Sequence, residues 1–211
     1  MRASFISIAA GLALLASAGA SAQGYVGGGI GYSRFDVDCT DIPSCDKSSV
    51  GGKLYGGWNF AKDWAAELSY FDWGKATGRE SLDLVGRVRE LPLATASGTL
   101  SMKLRGTGFG LGIAYFFAPA GSDWSGVLRA GVAQNKGKLT ATADYGDGSS
   151  DSMTESKRST QPYLGFGFGF KLSPTLTLTG EADFSRIKYR FDGLEDRADT
   201  QMFSIGVRYA F

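Results

Sequence analysis

The chain contains few side chains of the kinds that catalyse reactions or bind metal ions. Its 211 residues include no histidine, so it lacks the commonest general base of enzymes and the imidazole ligand of most zinc sites. No serine or cysteine stands in a recognisable nucleophile motif. Asp144, Asp147 and Asp151 match no calcium-loop spacing and are expected to lie in a solvated loop. We therefore expect no catalytic residue, no metal site and no enzymatic activity.

Glycine recurs at every second position in 108–112 and again in 165–169. A phosphate-binding loop places its glycines in a turn between a strand and a helix, with a different spacing. A period of two is instead typical of a strand, in which alternate residues share one face. These glycines therefore predict strands, and no nucleotide or other cofactor is expected.

The two cysteines, Cys39 and Cys45, lie six residues apart in a polar segment between two predicted strands. A metal or redox pair would need further ligands or a C-x-x-C spacing, and neither is present. The N-terminal signal described below predicts export to an oxidising compartment, where such a pair favours a small structural disulfide loop.

Six charged residues stand on the small, polar faces of predicted strands: Lys53, Glu67, Arg129, Glu181, Asp183 and Arg208. Three are basic and three are acidic. If these faces converge on one narrow interior, the charges should pair, since an unpaired buried charge is costly. Two roles stay open for them: an ionic cluster that plugs and rigidifies the interior, or a gate on a path for small solutes.

Eight predicted strands position these residues. The last of them shows most clearly the alternation of large with small or polar residues that predicts a strand. In Met202–Phe211 the large residues Phe203, Ile205, Val207, Tyr209 and Phe211 alternate with small or polar ones, which indicates a strand with two unlike faces. Similar alternation predicts the other seven: Tyr25–Phe35, Val50–Phe60, Trp64–Trp73, Leu100–Phe117, Trp124–Ala141, Gln161–Leu172 and Thr175–Phe191.

Long and short connections alternate between these strands, with the long segments at 36–49, 74–99, 144–160 and 192–200. Aromatic residues cluster near both strand ends, as interfacial girdles do. Towards the short turns these are Tyr25, Trp58, Phe60, Trp64, Tyr115, Phe117, Trp124, Phe170 and Phe211, and towards the long loops Tyr32, Tyr70, Tyr163, Phe184 and Phe203. A soluble barrel would expose a face made mostly of glycine, which is poor strand material. The sequence therefore predicts an all-β fold, an eight-stranded antiparallel up-and-down transmembrane β-barrel with short periplasmic turns and long extracellular loops.

Two groups of basic residues break the expected alternation: Lys103 and Arg105, and then Arg186, Lys188 and Arg190. Either a bulge intervenes, or these residues lie above the membrane, and we favour the second interpretation. The segment 78–93 also interleaves leucine and valine with arginine. An extended hairpin and a short helix both stay open for it, as do contact with lipopolysaccharide or a partner surface and packing of the loop on itself.

Residues 1–22 have the features of a secretory signal. Arg2 supplies the positive end, an apolar run follows, and Ala20-Ser21-Ala22 fits the small-residue cleavage rule. The predicted mature chain, 23–211, is a single barrel domain. Without Arg2, 22 − 1 = 21 basic residues balance 21 acidic ones, which argues against nucleic acid as a partner, because nucleic-acid binding needs excess positive charge.

Four segments carry a resemblance to a known family: Tyr25–Tyr32 (YVGGGIGY), Lys62–Leu68 (KDWAAEL), Phe184–Lys188 (FSRIK) and Ser204–Phe211 (SIGVRYAF). In this order they resemble the small eight-stranded outer-membrane proteins of the OmpA transmembrane-domain and OmpX/Ail type. The resemblance implies a monomer in the bacterial outer membrane, in contact with its lipid and lipopolysaccharide. It also implies that the last strand, which ends at Phe211, is the signal for the barrel assembly machinery, and that the loops contact host surface molecules.

Two functions are therefore expected. The first is a non-enzymatic structural and surface-interaction role, including adhesion or host contact, carried by the loops. The alternative is a narrow channel or carrier for small solutes that uses the charged lumen. The absence of histidine weighs further against an enzyme, because the enzymes among small outer-membrane barrels resemble one another in using a catalytic histidine.

Overall fold

The computed structural model describes residues 24–37, 44–83, 97–144, 149–191 and 194–211. Nine strands lie in these ranges: β1 Gly24–Asp36, β2 Ser44–Asp46, β3 Ser48–Ala61, β4 Trp64–Asp83, β5 Ser97–Phe117, β6 Trp124–Asp144, β7 Ser150–Lys171, β8 Leu176–Phe191 and β9 Leu194–Ala210. Across these ranges no helix is long and apolar enough to cross a membrane. The predicted signal at 1–22 lies outside the described residues.

Eight of the nine strands close into a ring in which neighbours are antiparallel. The order is β4, β3, β1, β9, β8, β7, β6 and β5, and β5 pairs with β4 again. β1 and β9 make the closing contact, from Tyr25 opposite Ala210 to Asp36 opposite Asp199. β2 is an added strand of three residues that pairs with residues 77–79 of β4. The predicted eight-stranded antiparallel barrel is confirmed.

Four neighbouring strands, β4 to β7, are longer than the sequence predicted. They contain 20, 21, 21 and 22 residues, and β9 begins at Leu194. The prediction of loops was therefore wrong at 44–46, 48–49, 74–83, 97–99, 150–160 and 194–200. The additional strand residues lie above the apolar part of the barrel, where no apolar alternation marks a strand. Thr140 and Thr154 are paired there, with their hydroxyl oxygens 3.1 Å apart. Residues 84–96 lie outside the described ranges, so the choice between hairpin and helix stays open there.

The outward face of the ring carries a belt of large apolar side chains. Ile30, Val50 and Ile205 are 74 %, 77 % and 70 % exposed, and similar residues occupy alternate positions of every ring strand. The residues that alternate with them along each strand face inward, and they are small, polar, or large and buried. This arrangement is the inverse of a soluble barrel and places the apolar face against lipid.

Two aromatic residues predicted for the girdles lie inside the barrel instead. Tyr25 and Tyr163 are 3 % and 1 % exposed, because both stand on the glycine face of their strands. A Cβ at Gly57 would lie 2.2 Å from the Tyr25 ring, so the glycine makes room for that ring. The prediction for these two residues was wrong because it treated residues near strand ends as outward-facing regardless of their parity.

The basic residues that break the alternation do face outward. Leu104 is buried between Lys103 and Arg105, and Ile187 is buried between Arg186 and Lys188. The register of β5 on β6 is unbroken from Thr99 to Phe117, so no bulge intervenes between these two strands. The one shift nearby lies in β4, between residues 72 and 74.

The outer part of β8 separates from β7. The two strands pair only as far as Leu164 opposite Phe184. The next outward residue of β7 is Pro162, which has no N–H to donate and is typical of strand edges. β7 therefore continues with β6, while β8 continues with β9 alone.

The freed end of β8 bends over the barrel interior. Ile187 is fully buried, and a Cβ at Gly106 or Gly137 would lie only 2.3 or 2.8 Å from its side chain. Asn135 of β6 donates a hydrogen bond of 2.8 Å to the carbonyl oxygen of Arg186. The β8–β9 hairpin is thus fixed across the outer mouth of the barrel.

Ion pairs at the tip of this hairpin make its position sensitive to acid. Hydrogen bonds from Lys157 of β7 and Arg190 of β8 lower the pKa of Glu195 from 4.5 to about 2. A carboxyl group with a lowered pKa stabilises the fold above its usual pKa, and this stabilisation is lost as the pH falls towards the lowered value. We therefore expect the tip to become mobile between about pH 4.5 and 2, measured by NMR relaxation of the Arg190 and Glu195 amides.

A Glu195→Gln variant is the control, because it removes the titrating group. Its hairpin tip should be mobile already at neutral pH and should show no transition in that acidic range. A wild-type tip that stays rigid through the whole range would contradict the assignment of these contacts.

Candidate functional site

Five of the six charged residues meet in the middle of the barrel interior. Lys53 Nζ lies 2.5 Å from Glu181 Oε2 and 2.7 Å from Asp183 Oδ2. Arg129 Nε lies 2.8 Å from Glu67 Oε1, and its Nη2 lies 3.0 Å from Glu181 Oε1. Two cations therefore hold three carboxyl groups in one connected set, in which Glu181 contacts both cations. We call these five residues the lumen cluster.

Four strands spread around the ring supply the lumen cluster. Lys53 comes from β3, Glu67 from β4, Arg129 from β6, and Glu181 and Asp183 from β8. All five are at most 7 % exposed. Because the side chains reach across the lumen, each ion pair joins strands that are not neighbours in the sheet, and the cluster ties opposite walls together.

Glycines of β7 leave the space that the carboxyl groups of β8 occupy. Gly165 lies opposite Asp183 and Gly167 opposite Glu181 in the register. A Cβ at Gly165 would lie 2.7 Å from Asp183 Oδ1, and one at Gly167 would lie 3.0 Å from Glu181 Cγ. A side chain at either position would push into the lumen cluster.

Two tyrosines complete the hydrogen bonding of the carboxyl groups. The Tyr25 hydroxyl donates to Glu67 Oε2 at 2.9 Å, and the Tyr55 hydroxyl donates to Glu181 Oε1 at 3.1 Å. The guanidinium of Arg129 also lies over the Tyr55 ring, 4.7 Å from its centre. Among the described residues, Nη1 and Nη2 of Arg129 have no hydrogen-bond partner, so the contact of Nη2 with Glu181 is purely ionic.

The sequence analysis missed this role of the tyrosines, although parity could have found it. Tyr55 stands two residues from Lys53 on the same face, and Tyr25 stands on the face of Gly27 and Gly29. A large polar residue among glycines on the inward face is a signal for a side chain that fills the lumen.

Arg208 lies away from the lumen cluster. Its guanidinium contacts two aromatic rings, 4.6 Å from the centre of Phe116 and 5.8 Å from that of Tyr25. Within the described part of the chain it forms no ion pair with a carboxyl group. The sixth residue of the predicted set is therefore held by cation–π contacts near the short-turn end.

Apolar side chains enclose the lumen cluster on both sides. Towards the long hairpins lies an outer cluster of large side chains, Phe35, Phe71, Trp73, Tyr163, Ile187 and Met202, each at most 1 % exposed. Towards the short turns lies an inner cluster of Tyr25, Tyr55, Ala65, Ala114 and Val127, with Phe116 packed against it. The ionic groups are thus shut off from bulk water at both ends of the barrel.

Two other predicted features are placed only in part. Cys45 lies in β2, but Cys39 lies outside the described residues, so the disulfide stays a prediction. In β9, Phe203, Ile205, Val207 and Tyr209 all face outward, and the terminal Phe211 is also exposed. Their role as the assembly signal stays a prediction too.

Comparison with known proteins places this architecture in a family. A profile of the family described as outer membrane protein beta-barrel domain matches residues 5–211. The chain belongs to this family. Its location is therefore the bacterial outer membrane, and the apolar belt is the surface that faces lipid. No curated protein matches the chain in sequence.

Two solved outer-membrane barrels share the fold of this chain. Neisserial surface protein A has a TM-score of 0.55 at 17 % identity, over 92 % of this chain and 99 % of its own. Ail, the attachment invasion locus protein of Yersinia pestis, has a TM-score of 0.50 at 17 % identity, over 91 % of this chain and 100 % of its own. At this identity the likeness shows the fold and no shared activity.

The lumen cluster leads to a prediction about the stability of the barrel. Arg129→Ala leaves Glu67 buried without its cation and Glu181 with Lys53 alone, and breaking a buried ion pair in this way typically costs about 3–5 kcal/mol. We expect a loss of that size in the free energy of unfolding, measured by urea titration of the refolded protein in lipid vesicles. Arg208→Ala is the matched control, because it removes an inward arginine that contacts only rings. Equal losses in the two variants would show that the ionic contacts do not stabilise the barrel.

Proposed function

We propose that this protein is a non-enzymatic barrel that strengthens the outer membrane and contacts other surfaces through its long hairpins. The observation that supports this best is the filled lumen. An ionic cluster lies between two apolar clusters, and the β8–β9 hairpin covers the outer mouth. In such a barrel the interior serves stability, so specific recognition belongs to the parts outside the membrane.

A filled lumen disfavours the alternative of a channel. A passing ion would need water or polar ligands along its whole path. The outer cluster offers instead fully buried aromatic and aliphatic side chains such as Phe71, Trp73 and Ile187. Opening a path would require breaking this packing together with the ion pairs of Arg129.

The hairpins supply a surface for recognition. β4 to β7 stay paired well beyond the apolar belt, and β6 and β7 pair as far as Asp144 opposite Ser150. This projecting sheet is polar on its outward face and is built on a rigid barrel, as binding surfaces often are. One structural neighbour, Ail, carries attachment and invasion in its name, which accords with a contact role.

The absence of enzymatic activity rests on the chain itself. With no histidine in 211 residues, a catalytic site would need a base of another kind. The buried acids Glu67, Glu181 and Asp183 are all engaged with cations or hydroxyl donors. They act as structural groups in this proposal. The outward apolar residues of β9 would serve recognition by the assembly machinery.

Single-channel recording tests the closed lumen. The refolded protein in a planar bilayer should show no discrete openings, with insertion verified by protease protection and by the heat-dependent shift in gel mobility. Arg129→Ala is recorded alongside. Openings in the wild type whose size changes in Arg129→Ala would overturn the structural role and make the lumen cluster part of a conduction path.

Shortening one hairpin tests the contact role separately. Residues 141–153 are replaced by Asn-Gly, which forms a tight turn between the directly paired Thr140 and Thr154. The barrel should still assemble, because its membrane-spanning part is unchanged, while attachment of displaying bacteria to cultured host cells should fall to the level of bacteria without the protein.

The control is the double variant Pro119→Gly/Ala120→Ser, which changes the turn between β5 and β6 on the opposite side of the membrane. It should attach as well as the wild type. Undiminished attachment by the shortened variant, at equal surface density, would exclude the β6–β7 hairpin as the contact surface.

A further inference from the structure

Five basic residues stand together on the outward face of β5, β6 and β7: Lys103, Arg105, Lys136, Lys138 and Arg158. We call them the basic patch. In the register, Arg105 is directly opposite Lys138, and Lys136 is directly opposite Arg158. Directly opposed side chains on one face have Cβ atoms about 4.5–5.5 Å apart, and like charges there destabilise the sheet. The fold thus brings cation against cation twice on adjacent rows.

The chain neutralises little of this charge. Asp72 of β4 binds Arg105, with Nη2 and Oδ2 2.7 Å apart. Over the described ranges no other member of the basic patch forms an ion pair. Lys75 of β4 lies directly opposite Arg105 and adds a further exposed cation, while other outward neighbours, such as Gln134 and Ser156, are polar and uncharged. Because these cations repel one another and one carboxylate neutralises only part of their charge, an anion from outside the chain would stabilise them.

The height of the basic patch indicates which anion is available. Arg105, Lys136 and Arg158 each lie four residues beyond the last apolar outward residue of their strands, which are Phe109, Val132 and Pro162. Four residues of strand span about 13 Å, or roughly 10 Å along the membrane normal for strands tilted by about 40°. That height is the border of the lipid headgroup layer, and long basic side chains reach back towards it.

The surface below the basic patch is apolar and continuous with it. Phe109, Leu111 and Val132 are 63 %, 62 % and 53 % exposed on the same outward face. A ligand that fits both regions has acyl chains at one end and negative charge at the other. An acidic protein segment would satisfy the cations but not the apolar wall beneath them.

We propose that the basic patch binds the phosphate groups of a phosphorylated, acylated saccharide lipid in the outer leaflet. The central contacts are the two opposed pairs, Arg105 with Lys138 and Lys136 with Arg158. A phosphate between the members of each pair turns repulsion into two charge-assisted hydrogen bonds. The acyl chains of the same lipid lie against Phe109 and Leu111. This inference goes beyond the proposed function, because it concerns the membrane side of the projecting sheet.

Binding of lipid A tests the proposal. The full mature protein, refolded in neutral detergent micelles, is titrated with fluorescently labelled diphosphoryl lipid A, and anisotropy reports binding. In the double variant Lys136→Gln/Arg158→Gln the affinity should fall about thirtyfold, since each cation near an anionic surface contributes roughly fivefold. The matched control is Lys62→Gln/Lys171→Gln, which removes two exposed lysines near the short turns and should leave the affinity unchanged.

Two comparisons separate the lipid from other anions. Dephosphorylated lipid A should bind the wild type as weakly as the diphosphoryl form binds the double variant. Inorganic phosphate at millimolar concentration should not displace the labelled lipid, because it lacks the acyl chains. Should the double variant not refold, Lys138→Gln is used in its place, and a fall of about fivefold is expected.

Equal affinity of the double variant and the control would overturn the site. Displacement of the lipid by inorganic phosphate would also overturn it, by showing an unspecific anion site. Either outcome leaves the conductance and attachment results standing, so failure of this inference is distinct from failure of the proposed function.

Discussion

The pairing of β1 with β9 is the interaction on which the rest of the barrel depends. In the hydrocarbon layer no water is present to hydrogen-bond an open strand edge, so a sheet can cross only when it is closed. Twelve residue pairs form this seam, from Tyr25 opposite Ala210 to Asp36 opposite Asp199. The Phe211 amide even continues it, donating to the carbonyl oxygen of Gly24 at 3.1 Å. The alternation that marks the last strand in the sequence follows from this position, because one face must meet lipid along its whole length.

Closure with only eight strands makes the interior narrow, and the interior then dictates the inward residues. A large side chain on one strand requires small residues beside it on the neighbouring strands. The Tyr163 side chain fits in the lumen because Gly112 and Gly131 have no side chain. A Cβ at either position would lie 2.6 Å from the tyrosine. Charged residues obey the same constraint. They are tolerated because Arg129 and Lys53 are within reach of Glu67, Glu181 and Asp183, and a charge without such a partner would be costly to bury.

Sequence reasoning succeeded where one physical requirement acts on every second residue. The need for an apolar outer face identified eight strands, their pairing and the inward side of Lys53, Arg129 and Glu181. It failed where that requirement ends. Above the lipid both faces of a hairpin meet water, so the strand at 150–160 had no apolar alternation to reveal it. The inward position of Tyr25 was missed for another reason: an aromatic residue suits both a girdle and a lumen, and the prediction did not use the parity that Tyr25 shares with Gly27 and Gly29.

The two charged sets of this protein differ in what they require. In the lumen cluster each carboxyl group contacts a cation within the chain, although Nη1 and Nη2 of Arg129 have no hydrogen-bond partner among the described residues. In the basic patch the register opposes Arg105 to Lys138 and Lys136 to Arg158, and Asp72 compensates only one of them. The lumen cluster, in which opposite charges are paired, explains stability and leaves recognition unexplained. The basic patch at the edge of the lipid is where a negatively charged partner would lower the free energy most, because it removes repulsion that the folded chain itself creates.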